Sequence, residues 1–303
     1  MTTHTEGNVA NSEPTLHVPK GTVDCHVHIF DPARFPYADD RTYTPGPATL
    51  TDLQAFLDKF GIERAVLVQP SVYGPDNRCL IDGLRKLGPK KARGIAVIDP
   101  EKVSDDELSA LQRVGVVGVR VNFSSRGEAR AAAAIAAISR TTARVVGFGL
   151  LIQIYADLAL VASLEETIAA APVPVVLDHF GGAKANEGLF QPGFDALCRL
   201  LASDKLWVKL SAPYRASKQL PDYPDLETIA RALIRTNPDR LVWASDWPHT
   251  GGGAERREWK ASEIEPFRIF DHARALAHLF AWADDAETYK KILVDNAARL
   301  FRF

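Results

Sequence analysis

The chain alternates about eight short apolar runs with helical segments, and this alternation constrains its fold more than any other feature. Continuous apolar strands separated by helices are typical of a parallel sheet covered by helices. Eight such units predict an α/β fold, a closed (β/α)8 barrel of the TIM type, regular or distorted. A doubly wound open sheet is the alternative. It is disfavoured because no glycine-rich phosphate turn follows the first strand.

The strand and helix predictions come from apolar spacing and from capping residues. The runs that predict strands are 23–30, 64–69, 92–98, 116–123, 149–155, 173–178, 206–211 and 241–246. Thr49 or Thr51 can cap the first helix, and Ser104 with Glu107 forms a capping box for the third. A proline- and tyrosine-rich loop over 31–48 is long enough to suggest a functional role.

Length and composition bound the domain organisation and the class of partner. We expect residues 1–20, which are polar and contain Pro14 and Pro19, to form a flexible arm, and residues 21–303 to form one barrel domain. A net charge of −2 gives no electrostatic reason to expect nucleic acid or an anionic membrane as partner. The three cysteines lie far apart, which favours a reducing cytoplasm.

Polar residues follow nearly every predicted strand. The active site of a (β/α)8 barrel is built at the C-terminal ends of its strands, so these side chains predict one shared cavity. His26 and His28 lie two residues apart, which places both on one face of a regular strand, whereas Cys25 should face the helices. The polar residues at the strand ends are His26, His28, Gln69, Ser71, Arg120, Asn122, Gln153, Tyr155, Asp178, His179, Lys209, Ser211, Ser245, Asp246 and His249.

Four of these residues can carry chemistry together, namely His26, His28, His179 and Asp246. They could bind a divalent cation. They could also act directly, with the carboxylate as general base and the imidazoles as hydrogen-bond donors to a developing oxyanion. Residue types alone leave both options open.

A second group is cationic and predicts an anionic ligand. Arg120 lies inside an otherwise apolar strand, where an unpaired guanidinium is costly to bury. Arg126 and Arg215 could converge with it, aided by the hydroxyl of Tyr43 in the long first loop. Such a set suits carboxylates or a sulfonate, because arginine binds these groups through two parallel hydrogen bonds.

Four motifs resemble the amidohydrolase superfamily, in its amidohydrolase-related branch. They are Asp-Cys-His-Val-His at 24–28, Leu-Asp-His at 177–179, Trp-Ala-Ser-Asp-Trp-Pro-His at 243–249 and the closing 292–301. Segments 68–77 and 93–100 resemble the lactone-hydrolysing members of that branch, which act on pyrone dicarboxylate and sulfomuconolactone. The resemblance covers about residues 20–303.

The resemblance implies a carboxylic-ester hydrolase, a lactonase of aromatic or sugar-acid catabolism. Asp246 would activate water while His26, His28 and His179 hold the lactone carbonyl. The residues implied or predicted to bind the substrate are Tyr43, Ser71, Arg120, Arg126, Gln153, Arg215 and His249. A zinc-dependent decarboxylase, a sugar-acid lactonase and a lactone isomerase are the alternatives within the superfamily.

The cofactor prediction depends on what the fourth and fifth strands lack. Dinuclear members of the superfamily carry a bridging lysine or glutamate on the fourth strand and a histidine on the fifth, where this chain has Arg120 and Gln153. We therefore expect no required metal. The alternative is one divalent cation, with zinc the expected metal, on His26, His28, His179 and Asp246. The exact lactone, the oligomeric state and the role of the 250–271 loop stay open.

Overall fold

Eight parallel strands form the centre of the protein, as a computed structural model shows for residues 18–123, 131–252 and 260–303. Each strand pairs with the next along the chain, so the order runs from β1 to β8. The strands are β1 Val23–Val27, β2 Arg64–Val68, β3 Ala92–Ala96, β4 Val116–Asn122, β5 Leu151–Tyr155, β6 Val175–Leu177, β7 Leu206–Ser211 and β8 Leu241–Ala244. The predicted distorted (β/α)8 barrel is confirmed. Residues 1–17 of the predicted arm lie outside the described residues.

The barrel closes where β1 meets β8. The backbone N–H of His28 donates to the carbonyl of Trp247 at 2.9 Å, and that of Asp246 donates to the carbonyl of His26 at 3.1 Å. The buried carboxylate of Asp24 accepts from the N–H of Ser245 at 2.9 Å. This seam holds the first and last strands together at the ends that carry the histidines and Asp246.

Helices cover the outside of the strands. Thr49 with Asp52, and Ser104 with Glu107, form complete capping boxes, which confirms the predicted helix starts. The segment between β5 and β6 forms two short helices that break at Leu164. The helices are α1 Leu50–Phe60, α2 Arg78–Leu87, α3 Asp105–Arg113, α4 Ala131–Val145, α5 Leu158–Ser163, α6 Glu165–Ala169, α7 Phe194–Ala202, α8 Pro213–Ala216, α9 Leu226–Thr236, α10 His272–Ala283, α11 Ala286–Lys290 and α12 Asn296–Phe301.

Two apolar clusters fill the fold, one between strands and helices and one inside the strands. The inner cluster contains Val66, Val176 and Phe301 of α12, together with Cys25. The prediction that Cys25 faces the helices was wrong. The pairing of β1 with β2 shifts register between Asp24 and Val27, so simple alternation fails there.

Two long loops, one after β1 and one after β8, are joined to each other. Thr44–Pro45 of the first loop pairs in parallel with Ile264–Glu265 of the loop that follows β8. The Thr44 hydroxyl also donates to the carbonyl of Ala261. The part of the 250–271 loop at 253–259 lies outside the described residues. Within the described ranges, every helix is too short or too polar to cross a membrane.

Candidate active site

Three imidazole nitrogens surround one carboxylate oxygen at the C-terminal end of the barrel. The Nε2 atoms of His26, His28 and His179 lie 3.6, 3.9 and 3.8 Å from Oδ1 of Asp246. The Nε2 atoms of His26 and His28 are 3.2 Å apart. All four side chains are buried. The structure thus brings together the four residues that the sequence marked as chemically reactive.

The other ring nitrogen of two of these histidines is held from behind. Nδ1 of His28 lies 2.7 Å from the carbonyl oxygen of Val68, which can only accept a hydrogen bond. The neutral His28 ring therefore carries its proton on Nδ1, and its Nε2 lone pair faces Asp246. Nδ1 of His179 lies 2.9 Å from the Ser211 hydroxyl, so β7 orients this ring.

A left-handed backbone conformation directs two of these four side chains into the cluster. His179 has a φ of 50° just after β6, and Asp246 has a φ of 64° just after β8. A residue with a Cβ rarely adopts this conformation, which costs about 1–3 kcal/mol. Hydrogen bonds made by the surrounding loops must offset that cost at both positions.

The two oxygens of Asp246 have different surroundings. Oδ2 accepts from the hydroxyl of Tyr214 at 2.8 Å and from Nε of Arg215 at 3.0 Å. Oδ1 has no hydrogen-bond partner in the described part of the chain. Burial alone would raise the pKa of Asp246, but the Arg215 guanidinium and then the histidines lower that pKa well below its usual range. Asp246 is therefore an anion with one oxygen directed at the histidines.

Burial keeps the three histidines uncharged at neutral pH. It lowers the pKa of His28 to about 4, with Arg120 adding to the effect, and it lowers the pKa of His179 to about 3. Burial also lowers the pKa of His26 well below 6.5, and neighbouring Asp178 only partly opposes this. The site therefore offers neutral imidazole nitrogens beside one carboxylate.

A buried polar network lies behind His26. The Lys209 ammonium is fully buried and donates to Oε1 of Gln153 at 2.7 Å. Asp178 accepts from Nε2 of Gln153 at 3.0 Å and lies 3.6 Å from Nη2 of Arg120. The sequence placed Asp178 and Lys209 at strand ends, and Asp178 also in the Leu-Asp-His motif, but it did not predict that they pair. Their opposite charges at two adjacent strand ends were the available signal for this ion pair.

The predicted substrate-binding residues differ in how far neighbouring groups already engage their polar atoms. Arg120 is 8% exposed, and its Nε has no hydrogen-bond partner among the described atoms. Both amide atoms of Gln153 are engaged by the network behind His26. Arg215 holds Asp246 and the Thr250 carbonyl, the latter at 3.2 Å. Arg126 lies outside the described residues.

Tyr43, Ser71 and His249 complete the predicted set. The Ser71 hydroxyl donates to the buried Tyr43 hydroxyl at 3.5 Å. Nδ1 of His249 lies 3.1 Å from Tyr214 Oη, and its Nε2 lies 2.7 Å from Nε2 of His272. His249 is thus linked to Asp246 through Tyr214, a residue that sequence analysis missed although it immediately precedes Arg215.

A cavity of about 570 Å³ opens beside Arg120. Its wall includes Gln69 and Ser71 from the end of β2, and Arg140 and Thr141 from α4. This volume accommodates a small carbocyclic or sugar-acid ligand. The guanidinium of Arg120 gives the wall a positive charge near the histidines.

Comparison with known proteins gives consistent matches along almost the whole chain. A family model described as amidohydrolase matches residues 23–303. The chain is 35% identical to a 4-sulfomuconolactone hydrolase of Rhizobium radiobacter, over 98% of this chain and 95% of that protein. It is 32% identical to a 2-pyrone-4,6-dicarboxylate hydrolase of Comamonas testosteroni, over 96% of this chain and 93% of that one.

A solved structure is similar as well. It is that of a putative 2-pyrone-4,6-dicarboxylic acid hydrolase from Pseudomonas putida, with a TM-score of 0.75 and 28% identity. The match covers 94% of this chain and 98% of that structure. The sequence and structure comparisons therefore agree with each other over the whole barrel.

Proposed function

Since the chain belongs to the amidohydrolase family, we propose that it is a carboxylic-ester hydrolase that opens an anionic lactone. The observation that carries this proposal is the unpartnered Oδ1 of Asp246, directed at three neutral imidazoles. A carboxylate oxygen placed in this way can take a proton from water. Relatives at 35% and 32% identity are lactone hydrolases, which supports the same reaction class.

In the proposed mechanism, Oδ1 of Asp246 takes one proton from a water molecule as the water oxygen bonds to the lactone carbonyl carbon. Negative charge develops on the carbonyl oxygen, and hydrogen-bond donors of the histidine cluster stabilise it. The bond from the carbonyl carbon to the ring oxygen then breaks. The proton held by Asp246 passes to the ring oxygen, which leaves as an enol or an alcohol.

Arg215 and Tyr214 keep Asp246 ionised and fix the direction of Oδ1. Because both donate to Oδ2, the carboxylate cannot rotate without losing these hydrogen bonds. By lowering the pKa of Asp246, Arg215 and Tyr214 also make it a weaker base for catalysis. We infer that the reacting water must be acidified or desolvated by the rest of the site.

The cluster fits one divalent cation. His26, His28 and Asp246 lie close enough together to hold it, and Nε2 of His179 lies 3.8 Å from the same Asp246 oxygen. Three imidazole nitrogens and an unpartnered carboxylate oxygen would form a ligand set typical of zinc. The carbonyl of Val68 behind His28 is the kind of outer contact that orients a ligating histidine. A bound cation would polarise the lactone carbonyl and lower the pKa of a water molecule on it to about 7.

We assign the acidic groups of the substrate to Arg120 and to the cavity wall at Ser71. The Arg120 Nε lacks a partner within the described ranges, and a carboxylate or sulfonate oxygen would satisfy it. Tyr43 supports Ser71, and Arg126 stays a prediction for the same anion.

The known relatives act on lactones that carry such groups, which supports aromatic catabolism as the setting. Three unpaired cysteines support a cytoplasmic location.

The reaction is tested by incubating the purified protein with pyrone dicarboxylate, sulfomuconolactone and a set of aldonolactones. Ring opening is followed by the loss of ultraviolet absorbance and by chromatography of the acid product. Each assay is run before and after chelation, with the zinc content measured in parallel. Hydrolysis of an anionic lactone supports the proposal. Release of carbon dioxide from an aromatic acid, with no lactone opened, would replace it with the decarboxylase.

A further inference from the structure

Two groups of opposite hydrogen-bonding character lie against the same ring nitrogen of His26. Nδ1 of His26 lies 3.2 Å from the Lys209 ammonium and 3.1 Å from Oδ1 of Asp178. An ammonium can only donate, and a carboxylate can only accept. The nitrogen therefore either accepts from Lys209 or donates to Asp178. Each choice fixes one tautomer of the neutral ring.

The choice at Nδ1 decides what the opposite nitrogen presents to the active site. If Nδ1 donates to Asp178, Nε2 presents a lone pair 3.2 Å from Nε2 of His28 and 3.6 Å from Oδ1 of Asp246. His28 also presents a lone pair there, so three acceptors would face one another and would need a cation between them. If Nδ1 accepts from Lys209, Nε2 carries a proton that it donates to His28.

Hydrogen-bond satisfaction favours the second arrangement in the absence of metal. The three N–H groups of the buried Lys209 have three acceptors, which are Gln153 Oε1, Asp178 Oδ1 and His26 Nδ1. Loss of the His26 acceptor would leave a buried charged donor unsatisfied. Asp178 loses less, because Gln153, Lys209 and Arg120 still surround its oxygens.

We propose that Lys209 acts as a positioning residue that holds His26 in its Nε2–H tautomer when no metal is bound. In that state His26 is a hydrogen-bond donor in the site. The donor's use on a lactone carbonyl rests on the proposed function, whereas the tautomer does not. Zinc binding to His26 requires the ring to lose the Nε2 proton and to gain one on Nδ1, where Asp178 accepts it. Lys209 therefore weakens zinc binding, and Asp178 strengthens it.

The test measures zinc affinity in two variants that should shift it in opposite directions. Metal-free protein is titrated with Zn²⁺ in competition with a chromophoric chelator. Lys209→Met removes the competing donor and should tighten zinc binding about tenfold or more, and Asp178→Asn should weaken it by about 10- to 100-fold. Lys205→Met, which removes an exposed charge just before β7, should leave the affinity unchanged.

The tautomer itself is read by ¹⁵N NMR of the protein labelled in its histidine rings. In the metal-free wild type, the His26 signals should show a protonated Nε2 and an unprotonated Nδ1, and Lys209→Met should reverse this pattern. Zinc affinity that is unchanged or weaker in folded Lys209→Met would overturn the proposal. A protonated Nδ1 in the metal-free wild type would also overturn it. Neither measurement requires turnover, so a failed lactone assay does not affect the result.

If Asp178→Asn fails to fold, the zinc affinity of Lys209→Met and the NMR pattern still test the proposal. Circular dichroism and thermal unfolding establish which variants are folded before zinc is added. A uniform loss of affinity in both variants would indicate only disrupted packing and would count against the proposal.

Discussion

Replacing Asp246 by Asn tests the proposed role of its carboxylate as the base with the least change of shape. Tyr214 and Arg215 both donate to the Oδ2 position, so the amide oxygen of Asn should lie there. The amide nitrogen then lies at the Oδ1 position and donates to the neighbouring histidines. The substitution therefore removes the base and fills its place with a donor, while the pocket keeps its volume.

The expected losses of activity and of stability follow from two roles of the Asp246 carboxylate, as the proposed base and as the hydrogen-bond partner of Arg215. Loss of a general base lowers kcat by about 10²–10⁴-fold, which corresponds to about 3–5 kcal/mol. The stability cost should be smaller, about 1–3 kcal/mol, because Arg215 keeps one neutral acceptor in the amide and another in the Thr250 carbonyl. Lactone disappearance gives kcat and KM, and urea unfolding gives the stability change. KM should change little, because substrate anions are assigned to Arg120.

Tyr214→Phe is the matched control. It removes the other Oδ2 donor but leaves Oδ1 as a base, so kcat should fall less than about tenfold and the pKa of Asp246 should rise. Wild-type kcat in folded Asp246→Asn would refute the assignment of the base. Equal losses in the two variants would indicate that the hydrogen-bond arrangement, and not proton transfer, carries the effect.

Three further predictions concern substrate binding, acid stability and the backbone. Arg120→Met should raise KM for an anionic lactone by about 10- to 100-fold and leave KM for neutral lactones unchanged. Arg140→Met, on the same cavity wall, should not raise KM for the anionic lactone. Equal effects of the two substitutions would contradict the assignment of the substrate anion to Arg120. Burial lowers the pKa of His272 from 6.5 to about 4, so the unfolded chain binds more protons than the folded protein between these pH values. The free energy of urea unfolding should therefore fall as the pH drops from 6.5 to 4, by up to about 1.4 kcal/mol per pH unit for this group. His272→Phe should reduce this dependence of the unfolding free energy on pH. Gly182→Ala, whose Cβ would lie 2.5 Å from a backbone oxygen, should cost about 3 kcal/mol or more in thermal unfolding, whereas Gly188→Ala, also at positive φ but in open space, should cost about 1 kcal/mol.

The barrel and the meeting of reactive side chains were accessible from the sequence for a simple physical reason. Apolar strands in parallel order bring their C-terminal ends to one face, so His26, His179 and Asp246 had to lie near one another. The residues that set the charge and the orientation of these side chains were harder to predict from the sequence. Tyr214 lies in a four-residue helix without a periodic signal, and it was missed.

Two other differences have local causes. The extra residue in β1 cannot be read from alternation, because a bulge changes which face each later residue occupies, and Cys25 was misplaced for that reason. Gln153 stays a prediction as a substrate-binding residue, and Lys209 and Asp178 engage both atoms of its amide. The polarity of a strand-end side chain indicates that it needs a partner. Whether that partner is a ligand or a neighbouring side chain depends on the packing of three strands at once.

The seam between β1 and β8 makes assembly of the proposed active site depend on closure of the barrel. Asp24 and Ser245 are 221 positions apart in the chain, yet a hydrogen bond joins them beside the histidines. A chain that has folded only its first seven strands would hold all three histidines without the carboxylate. Contacts of such long range form late, because loop closure must precede them. Regain of activity during refolding would therefore report completion of the barrel.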